Sequence, residues 1–339
     1  MNAIALYTPN PVLVHEKNAV GFWNKMLTVS TMYSYALRRI LAIIPMGVLV
    51  LTFTFFMLRY VPGGPYDGER ELPREARAEI MSYYDRDKPV LSQYVHYLGR
   101  IVRGDLGPSY CQVGWSVREL MAGRVGVSLE LGFYALTLAM SVGCILGLFQ
   151  AANYGKFCDR WLAGTEVLLI CVPTFVLGPL LCYVFVFHLR WFSAFGWSDW
   201  KNKILPVTTL SLQYVAFLGR LTRQSMHDQS SQLYVRSARA KGLTQGQIFR
   251  RHIFPNGISP VIAYLGSTCA GVLGGTFIVE NLFNIPGLGR LFIQAITNRD
   301  YTVISGILLI YVALIVVCNL VSDLVIVAID PRLCLRIPR

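Results

Sequence analysis

Six long apolar stretches constrain most strongly how this chain can fold. A helix needs about 20 residues to cross a hydrocarbon core about 30 Å thick, and each stretch is close to or above that length. Backbone polar groups inside a bilayer must be satisfied within the segment, so we predict an all-α polytopic membrane protein with about six transmembrane helices. The predicted spans are Ile40–Tyr60, Ser128–Ala151, Thr165–Leu189, Ile204–Leu221, Pro260–Val279 and Val303–Ile329.

Composition supports the membrane assignment and argues against other classes. The chain is 54% hydrophobic and only 15% charged, which exceeds the apolar content of an ordinary soluble domain. Its net charge of +12 comes from bases near the ends of apolar runs, where they suit anionic lipid and favour no nucleic-acid partner. The eight cysteines show no C-x-x-C spacing, so we predict neither a disulfide framework nor a metal site.

The basic residues also predict an orientation. Arg38 and Arg39 directly precede the first span, which places the N-terminus in the cytoplasm, and six crossings return the C-terminus to the same side. The stretch from Arg220 to Asn256 carries seven Lys or Arg and one acid, so we expect it to be cytoplasmic as well. The predicted segments are a cytoplasmic N-terminal extension (1–37), a first helix with an outer cap (38–127), a transmembrane core (128–330) containing the loop 221–259, and a cytoplasmic tail (331–339).

The loop between the fourth and fifth spans carries complete helix-start and helix-stop signals. Gly242 is placed to end one short helix in a left-handed conformation, and Thr244 with Gln247 forms a capping box for the next. Leu243 and Ile248 occupy the positions of a hydrophobic staple. Pro255 is expected to end the second helix. The sequence therefore predicts a helix, a sharp turn and a second helix.

Polar and small residues inside the spans mark packing or a solute path. Thr209 and Gln213 lie one helical turn apart, so they either line a path or form hydrogen bonds to a neighbouring helix. Pro173 and Pro179 are expected to kink the third span. Close helix packing is predicted at the stripes Gly143/Gly147 and Gly266/Ala270/Gly274, and lipid-interface or helix-cap roles at Glu130, Glu166 and Asp323.

No catalytic constellation is visible. The pair Gly155-Lys156 lacks the upstream glycine of a phosphate loop, and neither H-E-x-x-H nor G-x-S-x-G occurs. We therefore predict no catalytic residues, no metal ligands and no cofactor in this chain. Transport would draw its energy from an ion gradient or from a separate ATPase.

Several motifs resemble those of ABC importer permeases. Gly242, nine intervening residues and then His252-Ile253-Phe254-Pro255 resemble the EAA loop of that family, with Arg236-Ser237-Ala238 where the general pattern has Glu-Ala-Ala. The B-type subunit of oligopeptide importers is the most similar branch, mainly through a GER-x-LP stretch. Further matches lie at Pro62–Pro73, Gly104–Tyr110, Glu280–Phe292, Asn298–Tyr301 and Ala328–Arg332.

The resemblance implies a type I ABC importer permease fold in the bacterial inner membrane. It implies a second permease, two ATPase subunits that bind ATP and Mg, an extracytoplasmic peptide-binding protein and a peptide substrate. Dipeptides, nickel or another solute of the family stay open as substrates, as do an ion-driven secondary transporter and a noncatalytic assembly subunit as rival classes.

The resemblance also assigns roles to particular residues. The implied contacts with the binding protein are Glu280, Asn284, Pro286 and Gly287. The implied ATPase-coupling residues are Arg236, Ser237, Ala238, Arg239, Ala240, Lys241, Gly242, Thr244, Gln247 and Pro255.

Overall fold

The described part of the chain is a bundle of helices. The computed structural model describes residues 41, 44–56, 88–112, 114–193 and 195–329, so the N-terminal extension, most of the cap before residue 88 and the tail lie outside the described residues. The helices are α1 (Ile44–Phe56), α2 (Val90–Val102), α3 (Val117–Met121), α4 (Arg124–Ala152), α5 (Phe157–Cys171), α6 (Thr174–Cys182), α7 (Trp200–Ser230), α8 (Leu233–Ala240), α9 (Gln245–Ile248), α10 (Phe254–Ala263), α11 (Leu265–Leu282), α12 (Leu288–Thr297) and α13 (Tyr301–Ile329).

Five of the six predicted spans correspond to helices that are long and apolar enough for a membrane. Three are single segments: Val117–Ala152, which comprises α3 and α4; α7; and Tyr301–Val325 of α13. Two are bent pairs, with an angle of 106° between α5 and α6 and of 41° between the helical segment Gln245–Ala263 and α11. The first predicted span is described only in part, as the short apolar helix α1.

The third predicted span is broken where we expected a kink. The break lies at Val172 and Pro173, both of which have extended backbone with ψ of 118° and 146°. Proline disfavours helical backbone in the residue before it, which explains why α5 ends at Cys171. At Pro179, the other expected kink, the helix is not interrupted. α6 continues through that residue and is followed by a π-helix at Tyr183–His188.

Glycines bring the backbones of α4 and α7 into direct contact. A Cβ added at Gly143 would lie 2.9 Å from the carbonyl oxygen of Val215, and one at Gly147 would lie 2.5 Å from that of Gly219. The small-residue stripe predicted in the second span is therefore a close helix contact. In the stripe predicted in the fifth span, Gly266 packs against the side chains of Asn319 and Ser322 of α13, whereas Gly274 has no neighbour within 4 Å among the described residues.

Two of the sequence motifs, Gly104–Tyr110 and Asn298–Tyr301, meet at a buried aspartate. The Asp300 carboxylate accepts hydrogen bonds from the Ser109 hydroxyl and from the N–H groups of Tyr110 and Cys111, at 3.2 and 3.3 Å for the two N–H groups. It also accepts the Thr302 hydroxyl at 2.9 Å. This carboxylate fixes the segment before α3 to the start of α13.

Replacing Gly147 with Ala should destabilise the bundle by about 1 to 3 kcal/mol, the usual cost of overpacking a close contact. The added methyl group meets backbone atoms of α7, which cannot rotate away. Gly164→Ala is the matched control, because nothing lies within 4 Å of a Cβ there. Thermal unfolding of the purified protein measures both changes, and equal stability of the two variants would contradict the close contact.

Candidate functional site

The loop between α7 and α10 folds as the sequence predicts up to its last residues. Gly242 follows α8 with a φ of +78°, a left-handed conformation that favours glycine. The Thr244 N–H donates to Gln247 Oε1 at 3.0 Å, and the Gln247 N–H donates to Thr244 Oγ1 at 3.4 Å. This reciprocal pair is the predicted capping box, and it begins α9. Helix, turn and second helix are thus confirmed.

The prediction that Pro255 ends the second helix is wrong. The chain continues from α9 through a π-helix at Phe249–Ile253 into α10, where Pro255 occupies the first turn. Because the helical path is continuous, the missing N–H of Pro255 leaves a carbonyl of the preceding turn without its usual backbone donor. The His252 carbonyl accepts Asn256 Nδ2 at 2.7 Å, so a side chain satisfies backbone near the proline.

A small hydrophobic core fixes the loop to two transmembrane helices. Its buried members are Met226 of α7, Val235 and Ala238 of α8, and Ile248 and Ile253 of the second arm. Leu148 and Ala151 at the end of α4 and Leu243 pack against it, which places the staple residue as predicted. The Ser225 hydroxyl adds a 2.6 Å hydrogen bond to the Gly257 carbonyl. The loop is therefore packed against the ends of both α4 and α7.

The outer side of the loop is both basic and apolar. Most of the residues predicted to contact an ATPase are exposed, except Ala238, which is buried in the core just described; the exposed ones are Arg236, Ser237, Arg239, Ala240, Lys241, Gly242, Thr244, Gln247 and Pro255. Leu233 beside them is 75% exposed. None of the three cations forms an ion pair with a described carboxylate. This surface is available to an acidic and partly apolar partner.

Gln213 spans the break between α5 and α6. Its Nε2 donates to the Val172 carbonyl at 2.6 Å, and its Oε1 accepts the Thr174 hydroxyl at 3.0 Å. Of the two interpretations of this residue, the geometry fits a hydrogen bond to a neighbouring helix. Thr209 is fully buried beside Gly178, and its hydroxyl has no partner among the described residues. A role of either residue in a solute path stays a prediction.

The loop before α12 is organised around a buried carboxylate. Ser128 Oγ donates to Glu280 Oε1 at 2.6 Å and accepts the Leu288 N–H at 2.8 Å. Glu280 Oε2 accepts the Gly289 N–H at 2.7 Å. Glu280 thus joins α4, α11 and the start of α12. The prediction that Glu280 contacts the binding protein is therefore wrong for its side chain, which is fully buried.

The other residues of that loop divide by exposure. Gly287 is buried, and a Cβ there would collide with the Glu280 carboxylate. The predicted contact of Gly287 with the binding protein is therefore wrong as well, because the residue packs inside the protein. Asn284, with a φ of +56°, and Pro286 are exposed. These two stay predicted contacts for an extracytoplasmic protein.

Polar groups at the helix contacts, some of them fully buried, were missed or misplaced by sequence reasoning. Glu166 lies near the middle of α5 rather than at a span end; it is 3% exposed and neither of its oxygens has a partner among the described residues. Gln150 of α4 is equally buried.

Two ion pairs also join the helices. Asp159 is bound by Arg223 of α7 at 2.6 Å. Glu130 pairs with Lys203 at 2.6 Å and accepts Trp197 Nε1 at 2.8 Å. The one signal of these groups in the sequence is a charged residue within an apolar stretch.

The fold and the loop together define a class of protein. Apolar helices of membrane length, with a stiff basic helix–turn–helix fixed to two of them, are the architecture of a permease subunit of an ABC importer. The chain belongs to the family of binding-protein-dependent transport system inner membrane components, whose sequence model matches residues 143–334.

Relatives match along nearly their whole length. The oligopeptide transport system permease protein OppB of Salmonella typhimurium is 36% identical over 304 residues, which cover 89% of this chain and 99% of that protein. The dipeptide transport system permease protein DppB of Bacillus subtilis is 34% identical over 305 residues, with 90% and 99% covered.

A solved structure shows the same fold. A chain of the MetNI methionine ABC transporter, in an inward-facing conformation, superposes with a TM-score of 0.53 at 16% identity. The superposition covers 62% of this chain and 96% of that chain.

Replacing Gln213 with Leu should lower stability by about 0.6 to 2 kcal/mol, because it removes both hydrogen bonds across the α5–α6 break. Gln224→Leu on the same helix is the matched control, since Gln224 is exposed and bonds only Asp228 of its own helix in the described structure. Thermal stability and transport of peptides of different bulk are measured together. A Gln213→Leu protein of unchanged stability but altered substrate dependence would favour the solute-path interpretation instead.

Proposed function

We propose that this chain is a peptide-translocating permease subunit of an ABC importer, and that its substrates are oligopeptides. Support comes from the oligopeptide and dipeptide permeases, which match 89% and 90% of this chain and 99% of their own length. The GER-x-LP stretch within Pro62–Pro73 favours oligopeptides over dipeptides or nickel. A second, similar permease would complete the path, and an extracytoplasmic binding protein would deliver the peptide.

Energy would enter through the loop. The observation that carries this proposal is the hydrophobic core that the loop shares with the ends of α4 and α7. A partner that pushes on α8 moves these two long helices with it, since the turn at Gly242 and the capping box hold the arms in one conformation. Two ATPase subunits, which bind ATP and Mg, would supply that push by rigid-body motion.

The proposal places the loop in the cytoplasm and the protein in the bacterial inner membrane, with both termini cytoplasmic. The exposed loop cations suit that side of the membrane. Asn284 and Pro286 would then face outward, at the end of the bundle opposite the loop, where a binding protein docks.

Gly242→Val should abolish peptide uptake and uncouple ATP hydrolysis from it, because a β-branched residue is strained at a φ of +78°. Gly246→Val is the matched control: Gly246 lies four residues further on, in α9, where the backbone is helical and a Cβ meets nothing within 4 Å. Uptake by membrane vesicles and ATPase activity of the complex are measured for both variants.

Two results of that experiment decide between classes. Normal uptake by Gly242→Val with the turn intact would contradict the role of the loop as a coupling element. Uptake that persists without any ATPase subunit, driven by an ion gradient, would indicate a secondary transporter instead.

Orientation is tested by labelling single cysteines placed at Leu91 and Gln232, both exposed, in a variant without the native cysteines. A membrane-impermeant maleimide added to intact cells should label position 91 and leave position 232 unlabelled. Both positions should react after permeabilisation. Labelling of position 232 alone in intact cells would reverse the proposed topology.

A further inference from the structure

The turn between α4 and α5 combines positive charge with an exposed apolar helix face. Lys156 and Arg160 are both exposed there. On the same helix the side chains of Phe157, Trp161 and Leu168 are 80%, 62% and 65% exposed. Their spacing of four and then seven residues places them on one face. A basic start therefore leads into an apolar stripe.

The charge of this turn is not neutralised locally. Asp159, its only acid, is fully buried and accepts Arg223 Nε at 2.6 Å, Arg223 Nη2 at 2.8 Å and the Gly155 N–H at 2.9 Å. Lys156 Nζ donates to Asn153 Oδ1, and Arg160 Nη2 donates to the Gly155 carbonyl, each at 3.1 Å. Neither cation forms an ion pair with a described carboxylate. Arg223 balances Asp159, so two positive charges remain.

The surroundings select one kind of occupant. α5 begins a bent helix pair that is long and apolar enough to cross a membrane, which would place its apolar stripe in hydrocarbon and Lys156 and Arg160 at the membrane surface. Water would solvate the cations but not the stripe, and an acidic protein surface would meet the cations alone. A phospholipid supplies an anion and apolar chains in one molecule.

We propose that Lys156 and Arg160 bind the phosphate of an anionic phospholipid whose acyl chains lie along Phe157, Trp161 and Leu168. The Arg160 guanidinium offers paired N–H donors that match phosphate oxygens, and Lys156 adds a point charge. Trp161 has the amphipathic ring that is enriched at membrane interfaces. The site is independent of the transported solute.

The lipid site is joined to α7 and not only to α5. Arg223 of α7 holds Asp159 and also lies over the Tyr154 ring, 4.7 Å from its centroid. The Tyr154 ring stacks on His227 with centroids 3.6 Å apart. A lipid bound at the turn therefore contacts a segment that is fixed to the same helix that carries the coupling loop.

The test compares the assembled complex with a Lys156→Gln/Arg160→Gln double variant, using phosphatidylglycerol and phosphatidylcholine as probes and native mass spectrometry to count bound lipid. Each cation near a lipid surface contributes about 1 kcal/mol, so affinity for phosphatidylglycerol should fall about thirtyfold. Phosphatidylcholine binding should not change. Arg103→Gln/Lys201→Gln removes two exposed cations elsewhere and should keep the affinity for phosphatidylglycerol.

Further variants separate the sources of binding. Exchanging the two cations, Lys156→Arg/Arg160→Lys, keeps the charge and should keep most of the binding even if the glutamine variant fails to fold. Glycerol phosphate, the headgroup without chains, should not compete. Equal losses in both glutamine variants would indicate general charge attraction, competition by glycerol phosphate would indicate a free-phosphate site, and either result would overturn the lipid assignment.

Discussion

The close contact between α4 and α7 is the constraint on which the rest of the structure depends. At Gly143 and Gly147 the two backbones approach until no Cβ fits, so the helices cannot slide past each other without a clash. In lipid there is no hydrophobic force between apolar helices, and such packing supplies the attraction instead. An ion pair between Glu130 of α4 and Lys203 of α7 adds to this contact, and Asp159 at the start of α5 pairs with Arg223 of α7.

This contact also bears on the coupling role that we propose for the loop. The hydrophobic core of the loop takes residues from α4, α7, α8 and the second arm, so under the proposed coupling role a push on α8 would reach two packed helices at once. A loop fixed to a single helix would only tilt that helix. The capping box and the left-handed turn matter because they restrict the conformational freedom that a loop of this length would otherwise have.

Sequence reasoning predicted the features whose cause is local. Spans follow from apolar length, and the turn at Gly242 and the cap at Thr244 follow from conformations that few residues tolerate. It failed where a residue depends on distant partners. Glu280 looked like a surface group and is a buried acceptor for α4 and α12. Pro255 looked like a stop signal, but the π-helix before it carries the helical path onward. Glu166 gave no sign that it packs against Gly219.

Two interruptions of the described helices differ in kind from the glycine contact. They are the 106° break at Val172–Pro173 and the 41° bend at Tyr264 between α10 and α11. Gln213 of α7 hydrogen-bonds to both sides of the first break. Hydrogen bonds of this kind can exchange partners, whereas the α4–α7 contact leaves no room for a Cβ at Gly143 or Gly147. We therefore expect any change in helix arrangement to occur at the breaks before it occurs at the glycine contact.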